Sequence, residues 1–303
     1  VGQTSRHTVI QVTARAREFH QNGSTSDFPG DAMNDSSAQR VRVSVDDQGV
    51  AEVALVRADK MNAIDAAMFN AINDAIATLR DDPRVRAVVL HGEGRGFCAG
   101  LDMGRFQQMG QGQTSGTMGT DLLARSHGLA NAAQHVGWGW RELPVPVIAA
   151  VHGVAFGGGL QIALGADVRV VHPDTKLSVM EVKWGLVPDM SGCVFMTELV
   201  RADVLRELTF TGRIVSGVEA QALGLATRVA DDPLAEARAL AAQIAASSPD
   251  AIRAAKRLLN GASPVRAADV LLAEAREQQA LIGSPNQREA ALAGLEKRAP
   301  RFR

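Results

Sequence analysis

VPVIAAVHGVAFGGGLQIALGAD, residues 145–167, joins an apolar, β-branched run to a glycine cluster and then to helical spacing. Residues 145–151 are few and almost wholly apolar, the pattern of a strand covered on both faces. Beyond them Leu160, Ile162, Ala163 and Ala166 suit a closely packed helix, which puts Gly157, Gly158 and Gly159 at the strand-to-helix turn. A helix N-terminus carries unpaired N–H donors and partial positive charge, so such a turn suits an anion or the oxyanion that develops on a reacting carbonyl. Glycine also lets a ligand approach the backbone. The same cluster serves tight helix-on-sheet packing equally well, and the GGG alone does not separate the two readings.

Working outward, the flanking segments extend an α/β pattern. Residues 41–45 and 50–56 alternate around the turn residues DDQG and read as a hairpin. Met68, Phe69, Ile72, Ile76 and Leu79 recur at helical spacing over 65–80, and 85–91 is another strand. The glycine-rich GEGRGFCAGLDMGRF, residues 92–106, leaves the carboxyl end of that strand, where open α/β sheets place ligands. Residues 104–120, rich in Gly, Gln, Ser and Thr, read as a mobile loop or lid. A helix over 121–142 is ended by Pro144 and Pro146. Short strands at 168–171 and 176–179 precede a Gly- and Pro-interrupted loop at 181–192, and from Cys193 onward the pattern is helical to about residue 298. This order gives an α/β core followed by a helical region: a polar, mobile extension over 1–40, a core over 41–235 and helices over 236–303.

Composition narrows the partners. A chain of 303 residues that is 46% hydrophobic and 21% charged is ordinary for a globular protein. Its formal net charge of −1 gives no global electrostatic case for nucleic acid or an acidic membrane surface, and a small-molecule ligand is expected. Two cysteines supply neither a disulfide framework nor a metal-ligand cluster, so no metal and a cytoplasmic location are the expectations. No apolar run is long enough for a membrane span.

Four segments in order, DKMNAI, GRGFCAGLDM, VHGVAFGGGL and MEVKWGLVPD, resemble the enoyl-CoA hydratase/isomerase (crotonase) superfamily over roughly residues 41–303. The resemblance implies a spiral of ββα units with C-terminal helices that build homotrimers or dimers of trimers. It implies an unsaturated acyl-CoA substrate and no cofactor beyond the coenzyme A that the substrate carries. Matched motif to motif, the thioester carbonyl would lie between the backbone N–H groups of Leu101 and Gly158. Lys60, Met61, Asn62 and Ala63, together with Ala99, Gly100, Asp102, Met103 and Gly157, match segments that line the substrate, and Trp184 would shape the acyl site. Two N–H groups aimed at an enolate oxygen contribute on the order of 3 kcal/mol each.

The carboxylates depart from the hydratase pattern. Where hydratases of the family carry two glutamates, this chain has Gln161 and Glu181, and an amide neither takes nor gives a proton at useful pH. Asp189 matches a position where dienoyl-CoA isomerases carry an aspartate, so Glu181 with Asp189 forms the best acid/base pair. Each has a structural alternative: Glu181 capping its loop or pairing with Lys183, and Asp189 capping a helix that begins near Met190. Hydration and double-bond migration are both open. So are a dienoyl-CoA isomerase-like activity, a thioester hydrolase and a binding protein of low turnover. Cys98 with His152 could be read as thiol and base, but a small buried niche for Cys98 is the simpler reading.

Overall fold

The computed structural model describes residues 8–10, 39–111, 121–261 and 267–302. Its main sheet starts with β1 (Thr8–Ile10), β2 (Val41–Val45) and β3 (Val50–Leu55), all antiparallel, with Val43 opposite Val53. The β2–β3 turn is held by the Asp46 carboxylate, which accepts from the Gln48 and Val50 N–H groups, and by Gly49 at φ +83°. Three residues of the expected mobile extension thus form an edge strand, and the rest of that extension lies outside the described residues.

Helix α1 (Ala66–Asp81) leads to β4 (Ala87–Gly92), which lies parallel to β3. Asp65 caps α1 by accepting from the Met68 N–H, and Met68, Phe69, Ile72, Ala75, Ile76 and Leu79 form its buried face. Helix α2 is Met103–Gly110, capped by Asp102. It occupies the first half of the expected polar lid, because Phe106 and Met109 bury against Leu186 and Trp184. Residues 112–120, the other half, lie outside the described residues. Helix α3 (Ala132–Glu142) is shorter than the 121–142 expectation. A reciprocal cap between Asn131 and Gln134 fixes its start, and its residues from Ala133 to Trp140 are all buried.

The quoted stretch resolves into β5 (Val147–Val151), β6 (Val154–Phe156) and α4 (Gly158–Leu164). β5 continues the parallel sheet beside β4, followed by β7 (Val168–Val171). β6 leaves that sheet and pairs with β8 (Lys176–Ser178). A 3-10 turn at Glu181–Trp184 comes next, then α5 (Gly192–Leu199), α6 (Ala202–Thr211), α7 (Gly217–Leu223) and β9 (Arg228–Val229), the far edge of the main sheet. Helix α8 (Pro233–Ala245) crosses the expected boundary at 235/236. Its Ala237 and Ala241 pack on Ala87, Val89, Ile148, Ala150 and Val170. The alternate residues of the same strands, among them Val88, Leu90, Val147 and Ala149, face the main core with α1, α3 and α4. Coverage of both faces explains the unbroken apolar run of β5. Helices α9 (Pro249–Gly261), α10 (Ala267–Leu281) and α11 (Pro285–Leu295) complete the chain, and α11 folds back on α2 and the 181–184 turn.

The small β6–β8 sheet brings three distant segments together. The glycine-rich loop runs alongside β6, with Cys98 N–H donating to Val154 O and Phe156 N–H to Cys98 O. β6 runs directly into Gly157 and Gly158. β8 runs into Glu181, and Gly157 N–H donates to Ser178 O across the pair. Behind the loop stands Asn62, fully buried at φ +55°. Its Nδ2 donates to the carbonyls of Glu93, Gly96 and Phe97 at 2.9–3.1 Å, and its Oδ1 accepts from Arg57 N–H at 2.9 Å. Asn62→Ala strands these buried groups and should lower the unfolding free energy by about 2–4 kcal/mol in a denaturant titration. An unchanged midpoint would show that the loop does not depend on Asn62.

Candidate active site

A cavity of about 470 Å³ opens where the loop, α4 and the 181–184 turn meet. Apolar side chains form much of its wall: Phe69 of α1, Phe106 and Met109 of α2, Trp184 and Leu186 at the 181–184 turn, and Ile282 just after α10. Phe106 and Trp184 stack with ring centroids 4.0 Å apart. No helix among the described residues is long and apolar enough to cross a membrane, and none of their His, Cys, Asp and Glu side chains group to hold a metal ion.

Ten of the residues singled out from sequence line this cavity: Ala99, Gly100, Leu101, Met103, Gly157, Gly158, Gln161, Glu181, Trp184 and Asp189. Five others do not. Lys60 is exposed on the short turn Ala58–Lys60. Met61 O accepts from Ala99 N–H, and Asn62 holds the loop as described. Ala63 O and the Asp102 carboxylate accept from the Arg57 guanidinium at 2.9 and 2.6 Å. These four support the loop that carries Leu101 from behind.

The backbone supplies two unpaired donors. Gly100 O accepts from Ile64 N–H and Ile64 O from Asp102 N–H, so residues 100–102 run beside Ile64 and the Leu101 N–H points the other way. Gly158 is the first residue of α4, where no intrahelical acceptor exists. Among the described residues neither N–H has a protein acceptor. The two segments touch: a Cβ built on Gly100, at φ +87°, would sit 2.6 Å from Phe156 O and 3.8 Å from Gly158 N. Only glycine permits that approach.

Beneath this pair lies Glu181. Its Oε1 accepts from Gln161 Nε2 at 2.6 Å, while its Oε2 is buried without a hydrogen-bond partner. Gln161 is oriented by its other end, because its Oε1 accepts from the Met190 and Gly192 N–H groups at 2.8 and 2.9 Å. Its NH₂ therefore has to face Glu181. Burial pushes the Glu181 carboxyl up to about 7. Asp189, half-buried in the cavity wall, is pushed up to about 8 by burial and by the nearby Glu274 and Glu181. Asp189 caps no helix. α5 begins at Gly192 behind Ser191, and its first N–H groups are taken by Gln161 and Glu274. The pairing of Glu181 with Lys183 is likewise absent, since Glu181 binds Gln161 and Lys183 is exposed. Cys98 and His152 point to different partners, Asn62 O and Gly94 O, and burial pushes the Cys98 thiol up to about 12, so they form no nucleophile–base pair.

Glu274 was not foreseen, although a signal for it exists. Leu271, Glu274, Ala275 and Gln278 fall at helical spacing and all are buried in α10. A carboxylate on the apolar stripe of a helix signals a buried function.

Comparison with known proteins places this geometry. An enoyl-CoA hydratase/isomerase from Mycobacterium paratuberculosis superposes with a TM-score of 0.74 at 26% identity, covering 85% of this chain and 99% of that one. An enzyme described as a putative enoyl-CoA hydratase from Streptomyces avermitilis also gives 0.74, at 27% identity over 86% and 92% of the two chains. The fold is that of the crotonases. A probable enoyl-CoA hydratase of Mycobacterium tuberculosis is 33% identical over 258 residues, 84% of this chain and 95% of the relative. Human mitochondrial methylglutaconyl-CoA hydratase is 29% identical over 279 residues, 89% of this chain and 79% of the relative. The enoyl-CoA hydratase/isomerase family model matches residues 46–303, and the chain is an enzyme of that family.

Gly158 allows a direct test of the donor pair. It is the first residue of α4, a position where proline is conformationally tolerated, so Gly158→Pro removes the N–H with little disturbance of the helix. That variant should lose about 10²–10³ in kcat on an enoyl-CoA while its thermal midpoint stays near wild type. Gly158→Ala should lose less, because its Cβ meets only the movable ends of Met190 and Ile64, at 2.7 and 3.0 Å. Equal turnover by the proline variant and wild type would exclude Gly158 as a donor.

Proposed function

We propose that this enzyme shifts the double bond of an unsaturated acyl-CoA by proton transfer between two carboxyl groups. The observation that carries this reading is the fixed Gln161 amide. It leaves Glu181 with one free, buried carboxylate oxygen and puts no second carboxylate where a hydratase carries one. The thioester oxygen lies between the N–H groups of Leu101 and Gly158. Glu181 removes a proton from C2 of a 3-enoyl-CoA, and the electron pair delocalises onto the thioester oxygen as an enolate. Asp189, protonated, delivers a proton to C4 as the double bond forms between C2 and C3. The proton on Glu181 then returns to Asp189 through solvent, which restores both groups. Hydration is the second reading, supported by the names of the relatives; Glu181 alone would then handle the water.

The enzyme works in this reading as a homotrimer or a pair of trimers. Support comes from large apolar side chains left exposed on the single chain, Phe210, Ile214 and Val218 on one stretch and Leu258 and Leu259 on α9.

With a 3-enoyl-CoA as substrate, kcat/KM should follow a bell-shaped curve. It rises as Glu181 ionises near pH 7 and falls as Asp189 loses its proton above about 8. Glu181→Gln should lower turnover by roughly 10²–10⁴-fold while acyl-CoA still binds in a fluorescence or calorimetric titration. Full turnover by that variant on both a 3-enoyl-CoA and crotonyl-CoA would refute the assignment.

A further inference from the structure

Helix α10 sets two polar side chains one turn apart on an otherwise apolar face. Glu274 and Gln278 are both buried, on the stripe shared with Leu271 and Ala275. A buried carboxylate is tolerated only where hydrogen bonds replace water, and those of Glu274 all fall on one neighbourhood. Its Oε1 accepts from Cys193 N–H at 2.9 Å, and its Oε2 accepts from Ser191 N–H at 3.1 Å and Gln134 Nε2 at 3.2 Å. One turn on, Gln278 Oε1 accepts from Val187 N–H at 3.2 Å, and the Gln278 side chain lies near enough to the Asp189 carboxyl to favour its charged form. Three backbone N–H groups of residues 187–193 are thus held from α10, on both sides of Asp189.

The segment needs holding. Ser191, fully buried, adopts φ +73°, a left-handed conformation that a side chain disfavours. Its N–H is fixed by Glu274 and its Oγ donates to Gln134 O at 2.9 Å. Gln134 in turn donates to Leu271 O of α10 at 2.6 Å. Such a turn persists only where the surroundings over-determine it.

We propose that Glu274 is a positioning residue for the reaction, holding through the Ser191 and Cys193 amides, with Gln278 as its counterpart, the turn that presents Asp189 to the cavity. This rests on the reading of Asp189 as the proton donor. The arrangement also governs charge. Around Glu274 stand Asp189 from the cavity side, the Cys193 thiol from α5, and Arg125, whose Nη1 lies 2.8 Å from the Oε1 of its partner Gln134. Burial raises Glu274 as well, and Glu274 is among the groups that raise Asp189. A charge on Glu274 favours the protonated form of Asp189, and the Gln278 amide beside the carboxyl favours the ionised form.

The test follows the carboxylic C=O stretch by infrared titration of the ligand-free enzyme, with Asp189→Asn assigning the Asp189 band. In Glu274→Gln the Asp189 midpoint should fall by about one pH unit, the size of effect a neighbouring like charge exerts. In Gln278→Ala it should rise. The alkaline limb of kcat should move with each midpoint, and kcat in Glu274→Gln should drop about 10-fold or more with KM unchanged, as expected for a misplaced proton donor. Identical Asp189 midpoints in wild type and Glu274→Gln overturn the proposal, and so does a loss in which kcat falls and KM rises together with no change in the pH profile. Midpoints that shift in opposite directions while the rate profile stays fixed keep the clamp on Asp189 and remove Asp189 from the chemistry. Should Glu274→Gln fail to fold, Gln278→Ala carries the test alone, and a midpoint that does not rise in it overturns the proposal.

Discussion

The side-chain amide of Gln161 is bound at both ends, and the site is arranged around that fact. Its oxygen takes the Gly192 N–H, the first of α5, and the Met190 N–H just before it, and its nitrogen is left to donate to Glu181 at 2.6 Å. One side chain of α4 therefore holds the entry to α5 and the orientation of the Glu181 carboxylate together. A Cβ on Gly192 would sit 2.5 Å from Gln161 Oε1, so the backbone approaches the amide as closely as glycine allows. Gln161 is a fixed donor that occupies one oxygen of Glu181 and leaves the other free.

The small sheet of β6 and β8 gives this arrangement its rigidity. Through it the loop with Leu101, the turn with Gly158 and the turn with Glu181 are hydrogen-bonded to one another rather than merely adjacent. Glu181 and Asp189 line one end of the cavity and Glu274 is buried behind Asp189, all three raised above their ordinary range mainly by burial. A carboxyl whose value is higher in the folded than in the unfolded chain favours folding at low pH, and that contribution is lost as pH rises toward 7–8. The fold thus holds these three carboxyl groups at some loss of stability near neutral pH.

Much of the fold was legible because local pattern and burial agree. The apolar run of β5, the glycine turn and α4 could be read from residues 145–167, and the periodicity of Met68, Phe69, Ile72, Ile76 and Leu79 gave α1 directly. β6 was not legible, since VAF is too short to carry a period and leaves the main sheet only because it meets β8. The start of α3 was missed because the Asn131–Gln134 cap is a local device inside a longer helical-looking stretch. In the site, motif order was enough to bring Leu101, Gly158 and Glu181 together as residues of one cavity. It was not enough for Asn62, whose role depends on three carbonyls 31–35 residues away, which no local reading of DKMNAI contains. Glu274 reaches its partners across more than 80 residues, and only its place on a buried helical stripe marked it.

The central claim is that two different carboxyl groups move the protons, with Glu181 taking one at C2 and Asp189 giving one at C4. Incubating the enzyme with a 3-enoyl-CoA in D₂O and locating deuterium in the product by NMR tests this most directly. The account predicts a 2-enoyl-CoA with deuterium at C4, because the donor proton on Asp189 has exchanged with solvent before it is delivered. Transfer of the original C2 proton to C4 would mean that a single carboxyl shuttles it, and a 3-hydroxyacyl-CoA as the main product would mean hydration. Either result would contradict the account.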